Sequence, residues 1–564
     1  DVVVTELVDS GLLGEHILPV LRHARQQMLP GGRVIPHAAT VHAMVIESTE
    51  IRRRSRVLER DGAATLWWGG RDVTVDESYT CEDLAALRHR RLTQPVAAME
   101  IPLSHPPPRA EDASESSLCV ETDLEIIADG QADAVAMWFD LDLLPPDAGA
   151  STCAFSTGPG REGNGWDQGI YFLPAGHVLR RGQRCRLRVA VVQDQLTFKL
   201  VGGETMDTTM HSPPSVPVKV GEMDMAHLND TRHIDAYRQA LTQTATTALV
   251  QGQQPITAVV EWSGNYSVLG LVAASVPAFQ SVPLMIVTGT EESAITLRTW
   301  CQQGLGTPLR SVHVISSTDD RASSTLLDFL TQALSLPPDQ NAAGAPSCQH
   351  VLVIHELVES SGWLRQGALQ EARLLQSVLK ASTTTTTTTT VVLPAAISVF
   401  VQGLEAPALL RQNRLEPENL LGFPAEQLLD GLGVRKFREL DLGNTQDNRP
   451  VTAAAMAFRV DMQHLVRAGQ GDGANAEEEG EIVARAQVEL PVTEPGTTLH
   501  AVGFWFLLHL TPPRADGNIE NDDKMSFNTG EEGTSYGQGA VLVGPAPVVA
   551  GQRVQLEVVW SVSR

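Results

Sequence analysis

Two hydrophobic rhythms alternate along the chain. In one, wholly apolar runs are spaced by helical stretches: ITAVVEW (Ile256 to Trp262), PLMIVTG (Pro283 to Gly289), SVHVIS (Ser311 to Ser316) and HVLVIHE (His350 to Glu356). Runs of this kind are buried on both faces, and with helices between them they predict a parallel α/β sheet. In the other, found after Pro36, short segments alternate apolar and polar positions and are punctuated by Gly and Pro: TVHAMVIES, LEIIADG, AVAMWFDLDL and RCRLRVAVV. These predict an antiparallel barrel or sandwich. The change of rhythm comes at Pro36 and again at Pro394, and the opening Asp1-Val-Val-Val-Thr reads as a strand running into Glu6.

Comparing the chain with itself sharpens this picture. AVAMWFDLDLLPP (Ala134 to Pro146) recurs as AVGFWFLLHLTPP (Ala501 to Pro513). STGPGREGNGWDQGIYFL (Ser156 to Leu173) is answered by NTGEEGTSYGQGAVLV (Asn528 to Val543), both with Thr-Gly and then x-Gln-Gly before an apolar run. TELVDSGLLGE (Thr5 to Glu15) lines up with HELVESSGWLRQ (His355 to Gln366), and RVIPHAATVHAMVIES (Arg33 to Ser48) with VVLPAAISVFVQGLEA (Val391 to Ala406). Four pairs in one order predict a tandem duplication whose first copy is incomplete at its start. The expected fold class is therefore α/β plus β, a tandem repeat of a doubly wound, Rossmann-like domain followed by an antiparallel β-barrel. The expected segments are a remnant of the first α/β domain over 1–36, the first barrel over 37–210, a Pro-rich linker over 211–224, a second and degenerate α/β domain over 225–393, and a second barrel over 394–564. The eight threonines Thr383 to Thr390 read as an expanded surface loop, and the acidic stretch Gly471 to Glu481 as a solvated tip.

Composition narrows the function classes. A formal net charge of −25 argues against a nucleic-acid surface, which needs clustered Lys and Arg to displace counterions, and suits a basic partner. No window reaches the roughly 20 uninterrupted apolar residues of a membrane helix. The six cysteines lack any C-x-x-C pair or metal-ligand rhythm, so they read as reduced core thiols of an intracellular protein with no metal centre.

The candidate chemistry lies at the carboxyl edge of the first predicted strand, where open α/β sheets bind ligands. Glu6 ends that strand, and Glu15 follows a turn bounded by Gly11 and Gly14. Converging carboxylates suit a guanidinium, which is planar and matches carboxylates bidentately. Because arginine stays protonated, chemistry on it requires its charge to be drawn onto one terminal nitrogen, leaving the other more nucleophilic. An acidic pair also has a purely structural use, with Glu6 at a strand end and Glu15 at the positive end of the following helix.

ELVDSGLLGE, followed by VIPHAATVHAMVIES, EIRRRSRV, WFDLDL and STGP…WDQ, resembles the protein arginine N-methyltransferases, and the duplication resembles the tandem members of that family. The resemblance implies methyl transfer from S-adenosyl-L-methionine to arginine ω-nitrogens of protein substrates, with symmetric dimethylation as the product. By it, Glu6 and Glu15 are the catalytic glutamates that hold the guanidinium, and the segment Gly163 to Trp166 matches the family's Thr-His-Trp loop. Asn164 and Trp166 then shape the substrate pocket; the histidine of the motif is absent. The cofactor residues of the first copy are expected upstream of Asp1. In the second copy VVEWSGNYSVLG (Val259 to Gly270) lacks the D-x-G-x-G pattern, and Arg365 or Gln366 stands where a second glutamate is required, so that copy is expected to be a pseudo-enzyme. The partners implied are arginines in flexible basic segments, with no membrane, no nucleic acid, and the two copies forming an intramolecular pseudo-dimer in a monomeric protein of the cytoplasm and nucleus. The alternatives are an inactive scaffold binding arginine-rich proteins and a monomethylating enzyme.

Overall fold

The computed structural model describes residues 1–28, 31–58, 73–109, 116–145, 154–160, 165–202, 204–205, 218–250, 256–264, 266–304, 312–319, 321–335, 349–356, 358–359, 364–365, 371, 374–375, 377–378, 381, 388–411, 413, 437–440, 448–462, 481–494, 497–511, 526–530, 538–549 and 551–562. Two compact units divide between Met225 and Ala226.

The first unit opens with strand β1 (Val2–Val4), helix α1 (Ile17–Gln27) and strand β2 (Arg33–Ile35). β1 and β2 pair in parallel, with Val2 opposite Arg33 and Val4 opposite Ile35, so α1 is the crossover of a β-α-β unit. Ile17, Leu18 and Leu21 place one face of α1 in the core, and Pro19 is tolerated because it falls in the first turn. The opposite side is tied down by arginines. Arg22 donates to both carboxylate oxygens of Asp194 at 2.6 and 3.0 Å and to the Pro107 carbonyl at 2.6 Å. Arg25 donates to the Ser104 and Gly32 carbonyls at 2.5 and 3.1 Å.

Strand β3 (Ala38–Glu47) then begins an antiparallel seven-stranded sheet. Its order is Tyr79–Glu82, Gln168–Phe172, Ala134–Asp142, β3 and Arg90–Arg91, with Ala154–Ser156 and Val96–Ile101 pairing off that path. A three-stranded sheet of Ser116–Leu124, Cys185–Val192 and Gln195–Val201 supplies further core residues, its middle strand alternating buried and exposed positions in its first half. One core joins the elements: Val8, Leu12, Leu13, Ile17, Leu18 and Leu21 from the loop before α1 and from α1 pack with Val41, Val45, Phe139, Tyr171, Val189 and Leu196 from the sheets. Helix α2 (Thr49–Ser55) follows β3, capped by the Ser48 side chain, which accepts from the Ile51 amide.

The second unit holds a five-stranded all-parallel sheet in the order Val312–Ser316, Leu284–Thr288, Ile256–Trp262, Gln349–His355, Thr388–Leu393. Its central strands are buried almost throughout, as their unbroken apolar runs require. The strand order reverses between Ile256–Trp262 and Gln349–His355, which opens a crevice beyond their carboxyl ends. A seven-stranded antiparallel sheet follows, in the order Phe437–Leu440, Gln538–Pro547, Thr498–His509, Ala396–Glu405, Arg449–Pro450. Ala455–Asp461 and Ser526–Asn528 pair off that path.

The Thr-Gly and x-Gln-Gly segments make the same bonds in each unit. The Phe139 amide donates to Thr157 Oγ1 at 3.0 Å and Gln168 Nε2 donates to the Thr157 carbonyl at 2.9 Å. The Phe506 amide donates to Thr529 Oγ1 at 3.0 Å, and Gln538 Nε2 donates to the Thr529 carbonyl at 2.9 Å.

Three sequence expectations change. Thr388 to Thr390 belong to the edge strand Thr388–Leu393 rather than to a surface loop, as β-branched side chains favour; Thr383 to Thr387 lie outside the described residues. LEIIADG is not one continuous strand: Leu124 ends strand Ser116–Leu124 and Gly130 begins strand Gly130–Gln131, and between them the chain crosses to Leu92 and Gln94, with the Gln94 amide donating to the Glu125 carbonyl at 3.0 Å and the Ile127 amide to that of Leu92 at 2.9 Å. Of the four described cysteines only Cys185 is buried, because Cys81 and Cys119 fall on outward positions of their strands.

Candidate active site

The loop from Thr5 to His16 joins β1 to α1 at the carboxyl end of a parallel strand pair. Its apolar members point inward: Val8, Leu12 and Leu13 are buried, while Glu6 and Glu15 are exposed. The backbone turns twice. The Leu12 amide donates to the Asp9 carbonyl at 2.8 Å and the Leu13 amide to that of Gly11 at 2.9 Å, with Leu12 held at φ 68° and His16 at φ 63°. A buried leucine at positive φ is unfavourable in isolation, and the anchorage of the loop holds it there.

That anchorage is extensive. Asp9 Oδ1 accepts from the Gly14 amide at 2.9 Å, and its Oδ2 accepts from the Tyr79 hydroxyl. A side chain on Gly14 would overlap Asp9, and one on Gly11 would overlap the Tyr79 ring, so both glycines are required by close approach. Tyr171 donates its hydroxyl to the Gly11 carbonyl at 3.3 Å and stacks on Tyr79 with ring centroids 4.8 Å apart. Gln195 Nε2 donates to the Leu13 carbonyl at 3.5 Å. Burial, reinforced by the hydrogen bond to Asp9 and its charge, pushes the Tyr79 hydroxyl well above the ordinary phenol range. It is therefore a permanent donor to Asp9.

Trp166 is half-buried, and its indole N–H donates at 2.9 Å to the carbonyl of Val8, which lies between the two glutamates in sequence and close to Glu6. Its ring meets Phe155 edge-on at 5.4 Å. The structure thus brings Trp166 onto the loop that carries Glu6 and Glu15; Gly163 and Asn164 lie outside the described residues. Sequence reasoning missed Asp9, Tyr79 and Tyr171. The signal for Asp9 was present in VDSGLLG, an aspartate set to accept an amide across a Gly-bounded turn. Nothing local marked the tyrosines, which come from distant strands. The run EIRRRSRV is structural: Arg52 and Arg56 both pair with the fully buried Asp133, and Arg54 with Glu82 at 2.7 Å and Glu222 at 2.8 Å.

The corresponding place in the second unit differs in chemistry. Glu356 follows strand Gln349–His355, and its carboxylate contacts the His227 imidazole and accepts from the Gly264 amide at 3.1 Å. Burial would raise its pKa, but the charge and hydrogen bond of His227 outweigh it and hold Glu356 far below the usual carboxylate range. Arg365, at one of the two positions where the resemblance calls for a second glutamate, donates to Glu371 at 3.0 and 2.5 Å and to the Glu356 carbonyl at 2.9 Å. The turn after strand Ile256–Trp262 is filled by the chain itself. Glu261 accepts from the Gly270 amide at 2.7 Å and from the Ser267 hydroxyl at 2.5 Å, so its carboxylate caps the amide end of helix Leu269–Ser275. Burial pushes Glu261 up to about 7. An anionic cofactor group sent to the Gly270 amide would meet an acidic side chain already bonded there.

Comparison with known proteins bears on both units. The family model described as the arginine methyltransferase oligomerization subdomain matches residues 37–200. Protein arginine N-methyltransferase 9 of Xenopus laevis is 24% identical over 638 aligned positions that take in 99% of this chain and 69% of the relative. The chain is thus similar along nearly its whole length to protein arginine N-methyltransferases of the tandem-repeat type and carries that family's oligomerization subdomain over 37–200. Among other relatives, arginine N(omega)-methyltransferase of Streptomyces achromogenes is 30% identical over 195 residues, 34% of this chain and 48% of that protein. Protein arginine N-methyltransferase 7 of Danio rerio is 26% identical over 43% of this chain and 37% of its own length. The chain therefore corresponds to about half or less of those two relatives. A Trypanosoma brucei PRMT1 enzyme-prozyme complex with AdoHcy aligns at a TM-score of 0.38 and 14% identity, covering 58% of this chain and 84% of that one. The family's combination of a Rossmann-like domain and a β-barrel fits the β-α-β crossover and antiparallel sheets described above. No helix among the described residues is long and apolar enough to cross a membrane.

Proposed function

We propose that the chain carries the arginine-recognition site of an S-adenosyl-L-methionine-dependent protein arginine methyltransferase, with Glu6 and Glu15 as its catalytic carboxylates. The observation that supports this is the pairing of two exposed acids with a rigid support: Glu6 and Glu15 flank a loop whose interior is fixed by Asp9, Tyr79, Tyr171 and Trp166. Buried apolar residues alone would not require outward acids on both sides of so constrained a turn. Two carboxylates on a guanidinium draw its charge to one terminal nitrogen and hold the other in line with a methyl group, an orienting and electrostatic contribution. The methyl donor supplies the electrophile. The residues described in the second unit fit that donor poorly, because Glu261 already occupies the Gly270 amide at the start of the helix.

Trp166 acts on this reading as a positioning residue through Val8, and Asn164 stays a candidate for the substrate pocket. The equal strand orders and the matched threonine and glutamine bonds favour a tandem duplication in which the second copy is a pseudo-enzyme. The acceptors proposed are arginines in flexible basic segments of other proteins, which an acidic chain attracts, and the product proposed is symmetric dimethylarginine.

The test places Glu6→Gln and Glu15→Gln separately in the intact protein and measures methyl transfer to an Arg-Gly peptide, with mass spectrometry of the product. Each substitution is expected to lower turnover by about 100- to 1,000-fold, the usual cost of one preorganised charge-stabilising group. Peptide binding that weakens only slightly in variants of a protein with no turnover at all would instead mark an arginine-binding scaffold.

A further inference from the structure

His227, His233 and Glu356 are the one group of three metal-ligating side chains found among the described residues, and their ligand atoms all lie within 4.8 Å of one another. They come from three separate elements. His227 lies on helix Glu222–Leu228, His233 near the start of helix Thr231–Val250, and Glu356 just beyond strand Gln349–His355. The two imidazole rings stand 4.7 Å apart, and His233 is only 1% exposed. Glu356 sits beside the reversal of strand order, at the mouth of the crevice.

We propose that these three residues bind one divalent first-row transition-metal ion of the zinc type. The donor set decides the class of ion. Two imidazole nitrogens and one carboxylate suit zinc or cobalt, whereas magnesium and calcium are held by oxygen alone. Donors around a tetrahedral zinc stand about 3.4 Å apart, given bonds near 2.0 to 2.1 Å, so small side-chain rotations gather this cluster onto an ion. The surroundings are those of an oriented ligand shell. The Gly264 amide donates to Glu356 Oε2 at 3.1 Å, while Oε1 is the oxygen that faces His227. Tyr237 and Phe527 stand edge-on to His233 at 4.9 and 5.1 Å and fix its ring within an apolar wall. A buried anion between histidines is better compensated by a divalent ion than by one imidazolium, and three protein ligands leave a fourth position for water.

This inference is independent of the methyltransferase reading, since it concerns the second unit alone. The experiment strips the purified full chain with a chelator, reloads it with Co²⁺, and follows the visible d–d bands, with zinc competition and elemental analysis after desalting. The expected result is one tightly bound ion with a tetrahedral Co²⁺ spectrum. His227→Gln and Glu356→Gln should each weaken it by more than the roughly 10- to 100-fold that losing an outer-shell partner costs. His227 is partly exposed, so H227Q reports even where substitution of the buried His233 prevents folding. Equal metal retention by the native chain and both variants, or a Co²⁺ spectrum they leave unchanged, would overturn the proposal and leave His227 and Glu356 as an ion pair.

Discussion

Substituting Glu261 by Gln isolates the energetic consequence of a buried acid in the glycine-turn region of the second unit. Gln keeps the shape and the bonds: its carbonyl oxygen accepts from the Gly270 amide, and its amide group donates to Ser267 Oγ, which also has lone pairs. Only the titration is lost. Glu261 is held at about 7 in the folded chain against an ordinary 4.5. Below about pH 4.5 the carboxyl is protonated in both folded and unfolded chains, and its contribution to stability is fully present. Between there and about pH 7 the unfolded chain releases the proton while the folded chain retains it, so stability falls as pH rises and levels off above the folded value. At 1.36 kcal/mol per unit, a shift of this size is worth on the order of 3 kcal/mol. His233, held at about 4 by burial and the charge of His227, produces a slope of the opposite sign, but it is present in both proteins and cancels in the comparison. Hydrogen exchange in strand Ile256–Trp262, read across pH 4 to 8, gives the difference locally, which matters in a chain of two units that need not unfold together. The Gln variant should match the native chain near pH 4.5 and exceed its stability at pH 8. A difference that does not change with pH, or a Gln variant less stable at pH 8, would refute this account of Glu261.

Tyr79→Phe removes the hydroxyl that donates to Asp9 and should cost about 1 to 2 kcal/mol of loop protection by hydrogen exchange, with turnover reduced more than peptide affinity. Asp194→Asn keeps a residue that tolerates its φ of 64° but leaves Arg22 without its charged partner, so thermal unfolding of the first unit should show a loss of about 2 to 3 kcal/mol that high salt reduces only slightly. Trp166→Phe keeps an aromatic ring beside Phe155 and deletes the bond to the Val8 carbonyl; a loss of at least about 1 kcal/mol is expected, and unchanged exchange rates in the Thr5 to His16 loop would show that the indole N–H does not hold it.

The parallel strands of the second unit were legible because each is an unbroken apolar run with a helix behind it, and the observed strand Ile256–Trp262 has the bounds its sequence suggests. The central strand Ala134–Asp142 was equally plain, since its repeat at Thr498–His509 drew attention to both. What escaped was whatever depends on residues far apart in sequence. Asp9 and Tyr79 meet across 70 positions, and His227 meets Glu356 across four of the five strands of the α/β sheet, so no window of sequence holds either pair. The tract ending at Thr390 misled for a different reason: low complexity suggested a loop, but threonine is a good strand residue wherever an open sheet edge is available.

The arginines of α2, with Arg56 just beyond its end, bear on how this protein meets other enzymes. Arg52 and Arg56 engage Asp133, and Arg54 engages Glu82 and Glu222, within folded chain. A trypsin-like protease needs its arginine extended and released, and so would a modifying enzyme that seeks an unpaired guanidinium. Cutting at this run therefore waits on local opening of the helix, and the rate of nicking at Arg52 to Arg56 becomes a clock for how often that corner of the first unit comes apart.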